Sequence, residues 1–270
     1  MRPGTVAVAA EWFQQNFNGD VFYAVKANPS PWVVKTLADT GVTSFDVASI
    51  PEIELVRSVV PNARLAFMHP VKSRAAITQA YFDHGVRTFS FDTHEELQKI
   101  LEATGGAKDL NLIVRMAVQA EGAAYALGGK FGVGPDQAPT LLMAARRATQ
   151  DLMGVSFHVG SQCMRPTAFQ AAMAQASRAL VRAGVFADVV DVGGGFPSIY
   201  PGMHPPALQD YVDAIHRGFE EMKVHETTEL WAEPGRALVA ESSSILCKVE
   251  LKKGDALYLN DGSYGSLFDA

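Results

Sequence analysis

Eight short apolar runs alternate with amphipathic segments over most of the chain, and this alternation restricts the fold more than any other feature. The runs are Val21–Val25, Val42–Val47, Arg64–Met68, Val86–Phe91, Leu110–Met116, Met153–Val159, Ala187–Val192 and Glu229–Ala232. Their length suits buried strands. Between them, Trp32–Asp39, Glu52–Val59, Ser73–Phe82, His94–Ala103, Ala138–Gln150, Thr167–Ala183 and Ala207–Met222 carry apolar residues at helical spacing. Ser30-Pro31 and Ile50-Pro51 place a proline early in a helix, Asp92-Thr93 precedes Glu95 and Glu96 as a cap, and Gly41, Gly85 and Gly184 stand where helices should stop. Strict strand–helix alternation predicts parallel pairing. Eight such units in roughly 220 residues predict a closed TIM-like (β/α)8 barrel, with an open doubly wound sheet as the alternative.

The pattern changes after Arg236. Ala237–Ala240, Ser244–Leu251 and Asp255–Leu259 read as successive strands, with a turn at Lys252-Lys253-Gly254-Asp255. The expected organisation is an N-terminal segment (1–20), the barrel (21–236) and the start of a β-rich C-terminal domain (237–270). Three strands are thin for a domain, so the chain reads as truncated or unusually short.

Composition narrows the function classes. A net charge of −6 with no long basic run argues against nucleic acid. Cys163 and Cys247 give neither a disulfide framework nor a zinc spacing, which fits a reducing, cytoplasmic setting and no metal. The first ten residues lack a signal-peptide pattern, and no stretch nears the roughly 18 apolar residues of a membrane span.

In such a barrel chemistry belongs at the C-terminal strand ends. The first predicted strand leads into Lys26-Ala27-Asn28, and the second ends near Asp46. The fifth holds Arg115, and the sixth leads through His158 to Gly160-Ser161. The seventh leads from Asp191 to Gly193-Gly194-Gly195, and the eighth into Glu233-Pro234-Gly235-Arg236. Polar strand ends are ordinary, but a Lys, a His, a Glu, an Arg and a glycine triplet at matching ends are not. A buried Lys26 would have a depressed pKa and a nucleophilic amine. The triplet can bring backbone N–H groups close to a phosphate, although neither a dinucleotide fingerprint nor a P-loop is present. Glu233 could face a pyridine nitrogen and Arg236 a phosphate; a local Glu233–Arg236 ion pair is the plain alternative. His158 is a core histidine or a ring stacked on a flat cofactor. His94 opens no zinc motif, because Gln98 stands at the fifth position.

Phe22–Asn28 (FYAVKAN), Phe45–Ser49 (FDVAS), Phe157–Gln162 (FHVGSQ), Asp191–Pro197 (DVGGGFP) and Glu233–Arg236 (EPGR) together resemble the ornithine/diaminopimelate/arginine decarboxylase family, pyridoxal-phosphate enzymes of the alanine-racemase-like fold. The resemblance implies that Lys26 is the Schiff-base lysine, His158 stacks on the pyridine ring and Glu233 pairs with the ring nitrogen, these three being the catalytic residues. It implies a phosphate cradle of Ser161, Gly194, Gly195, Gly235 and Arg236. Asp46 and Arg115 match positions close to pyridoxal 5'-phosphate, and Tyr264 matches a segment near the substrate. Phe91–Leu97 (FDTHEEL), Ala66–Lys72 (AFMHPVK) and Lys130-Phe131-Gly132 are closer to the ornithine branch.

The implied activity is decarboxylation of L-ornithine, giving putrescine for polyamine biosynthesis, or of L-lysine, by a cytoplasmic homodimer with shared active sites. Diaminopimelate decarboxylase and a non-catalytic cofactor-binding or regulatory relative are the alternatives. The family's Cys-Asp segment, which supplies a reprotonating thiol and a carboxylate for the distal amine, has no match here; Cys163 and Cys247 read as structural.

Overall fold

A computed structural model of the protein describes residues 1–119 and 130–267 and, between them, the backbone of Ala123–Tyr125. Twelve strands are found among these residues: β1 (Asp20–Ala24), β2 (Ser44–Val47), β3 (Arg64–Phe67), β4 (Thr88–Phe91), β5 (Asn111–Arg115), β6 (Ala123–Tyr125), β7 (Met153–Ser156), β8 (Ser161–Cys163), β9 (Val189–Asp191), β10 (Glu229–Ala232), β11 (Val249–Lys253) and β12 (Ala256–Leu259). The helices are α1 (Pro3–Asn16), α2 (Pro31–Asp39), α3 (Ile50–Val59), α4 (Arg74–Phe82), α5 (His94–Ala103), α6 (Ala138–Ala148), α7 (Thr167–Ala183), α8 (Leu208–Glu221) and the single-turn α9 (Arg236–Val239).

Eight parallel strands close in the order β1-β10-β9-β7-β5-β4-β3-β2, so the closed barrel is correct and the open sheet is not. Residue parity explains why it closes. Odd positions of β1 (Tyr23, then Val25) join the large core between strands and helices, together with Phe45, Phe67, Phe89, Leu112, Val155 and Val190. The alternate positions Phe22, Ala66, Ile113, Val189 and Trp231 form a second, separate core inside the barrel. Both faces of each strand are therefore buried, which is why the runs are nearly continuous in apolar residues. Gly154 leaves the interior room it needs: a Cβ there would lie 2.7 Å from Ile113 Cδ1 and 2.8 Å from Val189 Cβ.

The N-terminal floor is closed by Arg64, which bonds Asp20 at 2.6 Å and Glu229 at 3.0 Å. Its guanidinium lies 4.5 Å above the Trp231 ring, and Phe22 packs on Trp231 at 4.5 Å. The ion pairs are partly solvated and contribute at most about 1 kcal/mol each, whereas each buried aromatic side chain contributes roughly 1.5–3 kcal/mol. The aromatic layer thus closes the floor, and chemistry is left to the other end.

Three local expectations change. Residues 3–16 form α1, which buries Val6, Ala10 and Phe13 at helical spacing rather than lying as an unassigned segment. Ala237–Ala240 is not a strand: α9 covers Arg236–Val239, with Leu238 and Val239 buried. Here the chain repeats the strand-then-helix rhythm of the barrel. The strand expected over Ser244–Leu251 is confined to β11, which pairs with β12 as an antiparallel hairpin. Phe268 to Ala270 lie outside the described residues. No helix among the described residues is long and apolar enough to cross a membrane.

Candidate active site

The inward-facing count continues past the strand ends into the polar residues of the sequence analysis. From Phe22 and Ala24 it reaches Lys26, from Ser44 it reaches Asp46, and from Ile113 it reaches Arg115. From Gly154 and Ser156 it reaches His158, from Val189 it reaches Asp191, and from Trp231 it reaches Glu233. One period-two rule therefore fills the barrel with apolar groups below and charged groups above.

A cavity of about 190 Å³ opens at this end. Its walls include Lys26, His158 and Glu233, and also Ser161, Gly194, Gly195, Gly235 and Arg236. Ala24, Ala27 and Phe196 complete it.

Lys26 sits in a one-turn 3-10 helix (Val25–Ala27) directly after β1. Its Nζ donates to Asp46 Oδ2 at 2.9 Å; the lysine side chain is 55% exposed toward the mouth, whereas Asp46 is 1% exposed. The Asp46 carboxylate, against the opposing effect of burial, holds the ammonium above its ordinary pKa, and Glu233 adds to this. The expected depressed pKa is thus overturned, because a carboxylate at ion-pair distance outweighs desolvation.

Asp191 and Glu233 are both buried and in hydrogen-bond contact with each other. Gly193 N–H donates to Asp191 Oδ1 at 2.8 Å, and Glu233 N–H donates to the Gly193 carbonyl at 2.9 Å. Burial pushes the Asp191 carboxyl up to about 6. It raises Glu233 well above the carboxylate range, with Asp191 and Asp46 adding to the shift. Glu233 Oε1 and Asp46 Oδ1 are buried without a partner. Such orphaned acceptors fit a bound donor.

His158 Nδ1 accepts the Gly160 N–H at 2.9 Å, which leaves the ring proton on Nε2. Burial, then Arg115 and Lys26, push its pKa down to about 3, so the ring is neutral. Gly194 keeps the space beside it open: a Cβ there would lie 2.9 Å from the Glu233 carbonyl and 3.2 Å from His158 Nε2.

Gly193 (φ +67°) and Gly195 (φ +107°) occupy left-handed backbone, and a Cβ would lie 2.2 Å from the Phe157 carbonyl or 2.6 Å from that of Gly160. The triplet thus has two uses. Gly193 ties the loop to Asp191 and Glu233, while Gly194 and Gly195 face the cavity. Arg236 Nη1 donates to Tyr200 Oη at 2.8 Å and Nη2 to Ser161 Oγ at 3.3 Å, with its Nε buried and unpartnered. Glu233 and Arg236 form no ion pair with each other, so the guanidinium is available to an anion.

Arg115 does not line the cavity; its guanidinium is 5.8 Å from the Phe131 ring centroid, and it acts on the site through charge. Tyr264 is not brought to the site: its side chain is fully exposed on the segment after β12, away from the cavity walls. Three participants had no sequence signal of their own. Asp191 stands in the DVGGGFP stretch and Gln162 in FHVGSQ without a residue-level role, and Tyr200 lies outside every quoted motif. Gln162, the only non-glycine residue with positive φ (55°) among the described residues, exchanges two hydrogen bonds with the Ser198 backbone. That exchange locks β8 to the loop after β9 and holds the strained backbone.

The barrel and its mouth define a cofactor-binding barrel of the pyridoxal type: an amine, a carboxyl and a glycine–arginine cradle face one cavity. The chain belongs to the pyridoxal-dependent decarboxylase family, and its residues 4–240 match the family's pyridoxal binding domain. The lysine/ornithine decarboxylase of Selenomonas ruminantium is 34% identical over 253 residues, which cover 91% of this chain and 63% of that protein. Antizyme inhibitor 2 of Xenopus laevis is also 34% identical, over 91% of this chain and 57% of its own. The arginine decarboxylase of Paramecium bursaria Chlorella virus, solved with agmatine, superposes with a TM-score of 0.87 at 28% identity, covering 99% of this chain and 72% of that one. The chain spans about three fifths of the length of the curated relatives it matches.

Proposed function

We propose that this chain binds pyridoxal 5'-phosphate through Lys26 and is the barrel part of a decarboxylase for a basic amino acid, L-ornithine or L-lysine. The observation that carries this is the shared cavity: the half-exposed Lys26 side chain lines the same space as Glu233, whose Oε1 has no partner, and as the Arg236 and Ser161 side chains. These residues fit the group. Arg236, Ser161 and the backbone of Gly194, Gly195 and Gly235 would hold its phosphate, and Glu233 its ring nitrogen. His158, neutral and flat beside Gly194, offers a face for stacking without a competing charge.

When bound, the cofactor supplies an electron sink for the pair left behind as CO2 departs. The residues at the mouth set protonation, charge and access. Asp46 holds Lys26 as an ammonium and is the base positioned at 2.9 Å to take its proton, freeing the amine as a nucleophile. Arg115 and Lys26 offset the negative charge of Asp46, Asp191 and Glu233. The barrel walls keep water from all sides but the mouth.

The resemblance further supports a cytoplasmic homodimer in polyamine biosynthesis, giving putrescine in the ornithine case. The hairpin β11–β12 exposes Leu246, Leu251, Leu257 and Tyr258 in and beside it, apolar surface that a partner or further chain would cover. The substrate role of Tyr264 rests on the resemblance alone. The similarity to an antizyme inhibitor supports a second reading, a cofactor-binding regulator.

Release of CO2 from ornithine, lysine, arginine and diaminopimelate, measured with the cofactor-loaded protein, separates these readings. Turnover of ornithine or lysine at least tenfold above the others is expected. Bound cofactor with no product from any of the four would favour the regulator.

A further inference from the structure

We propose that Asp191 and Glu233 share one proton in the empty pocket, and that this proton leaves when the ring nitrogen of the cofactor, bearing its own proton, takes its place beside Glu233. Asp191 is thereby a positioning residue for the ring-nitrogen site, a role that extends and rests on the cofactor reading above.

Two carboxyl groups within hydrogen-bond distance need a proton between them, since neither ionised group has a donor. Asp191 is 1% exposed and Glu233 6% exposed, so water cannot separate their charges. The direction of the bond follows from the backbone. Asp191 already accepts the Gly193 N–H, which stabilises it as the carboxylate, so the Glu233 carboxyl is the O–H donor.

Charge balance gives the same count. The groups acting on the pair are Asp46 from β2, Lys26 from the turn after β1 and Arg115 from β5. Three carboxylates against two cations leave −3 + 2 = −1; one shared proton brings the cluster to neutrality. The Lys26 ammonium is not free to replace that proton, because Asp46 holds it at 2.9 Å. His158 is neutral and adds no charge. The raised ionisation of both acids has the sign this sharing requires.

The ring of the cofactor changes the balance. Its N–H is a cationic donor, and the orphaned Glu233 Oε1 is the acceptor available to it. With a cation in place Glu233 ionises, and its proton goes to solvent. No covalent bond other than that O–H is broken. Binding therefore strengthens as pH rises toward the ionisation of the pair, because proton loss accompanies it.

The probe for the test is 4-deoxypyridoxine 5'-phosphate, which has the ring nitrogen and phosphate but no aldehyde, so Lys26 forms no bond with it. Titration calorimetry at one pH, in buffers of different ionisation enthalpy, counts the protons released. The native chain is expected to release about one proton per ligand more than Asp191→Asn, in which the amide donates to Glu233 and leaves it ionised beforehand. Phosphate titration is common to both proteins and cancels in the difference. Glu233→Gln, which keeps the bond to Asp191 but has no proton to lose, serves if the first variant fails to fold. Infrared difference spectra of the native chain should show a protonated-carboxyl stretch that disappears on binding. Equal proton release from native and variant chains, or no such stretch, overturns the proposal. Failure of the native chain to bind the probe overturns the cofactor reading beneath it.

Discussion

Lys26→Ala is expected to leave a folded barrel that loses its cofactor on dialysis, and to lower turnover by at least about 10²–10⁴-fold wherever the native protein decarboxylates, the range found when a positioned proton-transfer group is removed. The native amine contributes twice. On the proposed function it would hold the cofactor covalently, and its amine would be the group that reclaims the cofactor when product leaves. Lys26→Arg is expected to be no better, because a guanidinium matches the charge beside Asp46 but is not a nucleophile at neutral pH. Lys26→Ala, unlike Lys26→Arg, also removes one of two cations facing three carboxyls. The empty variant should therefore bind a second proton in the cluster. Absorbance of the bound cofactor after dialysis measures the first effect. A variant that keeps its cofactor as firmly as the native chain would remove Lys26 from the centre of the mechanism.

Gly193→Ala carries the largest expected effect on stability. The residue has φ +67°, and its Cβ would lie 2.2 Å from the Phe157 carbonyl, which belongs to backbone rather than to a side chain that can swing away. Left-handed strain costs about 1–2 kcal/mol and the forced shift of backbone about 1–3 kcal/mol more. A loss of roughly 3 kcal/mol should lower Tm by about 10 °C in a domain of this size. Gly184→Ala is the matched control: φ is +65°, but nothing lies within 4 Å of the added carbon, so only the strain remains. Thermal unfolding of both variants separates clash from strain. The Gly193 variant should also bind cofactor weakly, since Gly193 is bonded to both Asp191 and Glu233. Equal melting temperatures for the two variants would mean that the loop absorbs the clash.

Much of this was legible in the chain because the barrel is written locally. Each strand is a short run buried on both faces, so its apolar content survives without knowledge of its neighbours. Lys26, His158 and Glu233 could be placed at the mouth because strand ends can be read one at a time. What was not legible depends on contacts between distant residues. The ladder of β6 and β8 pairs Ala123 with Cys163, and three-residue strands carry no periodicity. The helix α1 rests on Val6, Ala10 and Phe13 in an alanine-rich segment whose apolar stripe is thin. The ionisation of Lys26 had the wrong expected sign because burial is a local inference, while Asp46 stands 20 residues away. The Asp191–Glu233 contact and the Arg236–Tyr200 bond exist only once the barrel closes.

Lys26, and no other amine, is expected to hold the cofactor. The sharpest rival is Lys72, which burial lowers to about 8 and which is therefore more easily deprotonated. Geometry opposes it: its side chain is 0% exposed, and Nζ is bonded to the His69 and Ser90 carbonyls and to Glu96. Borohydride reduction of the chain loaded with pyridoxal 5'-phosphate, followed by peptide mapping, decides between access and basicity. The pyridoxyl group should appear on Lys26 alone; its appearance on Lys72 or another lysine, with Lys26 unmodified, would contradict the account.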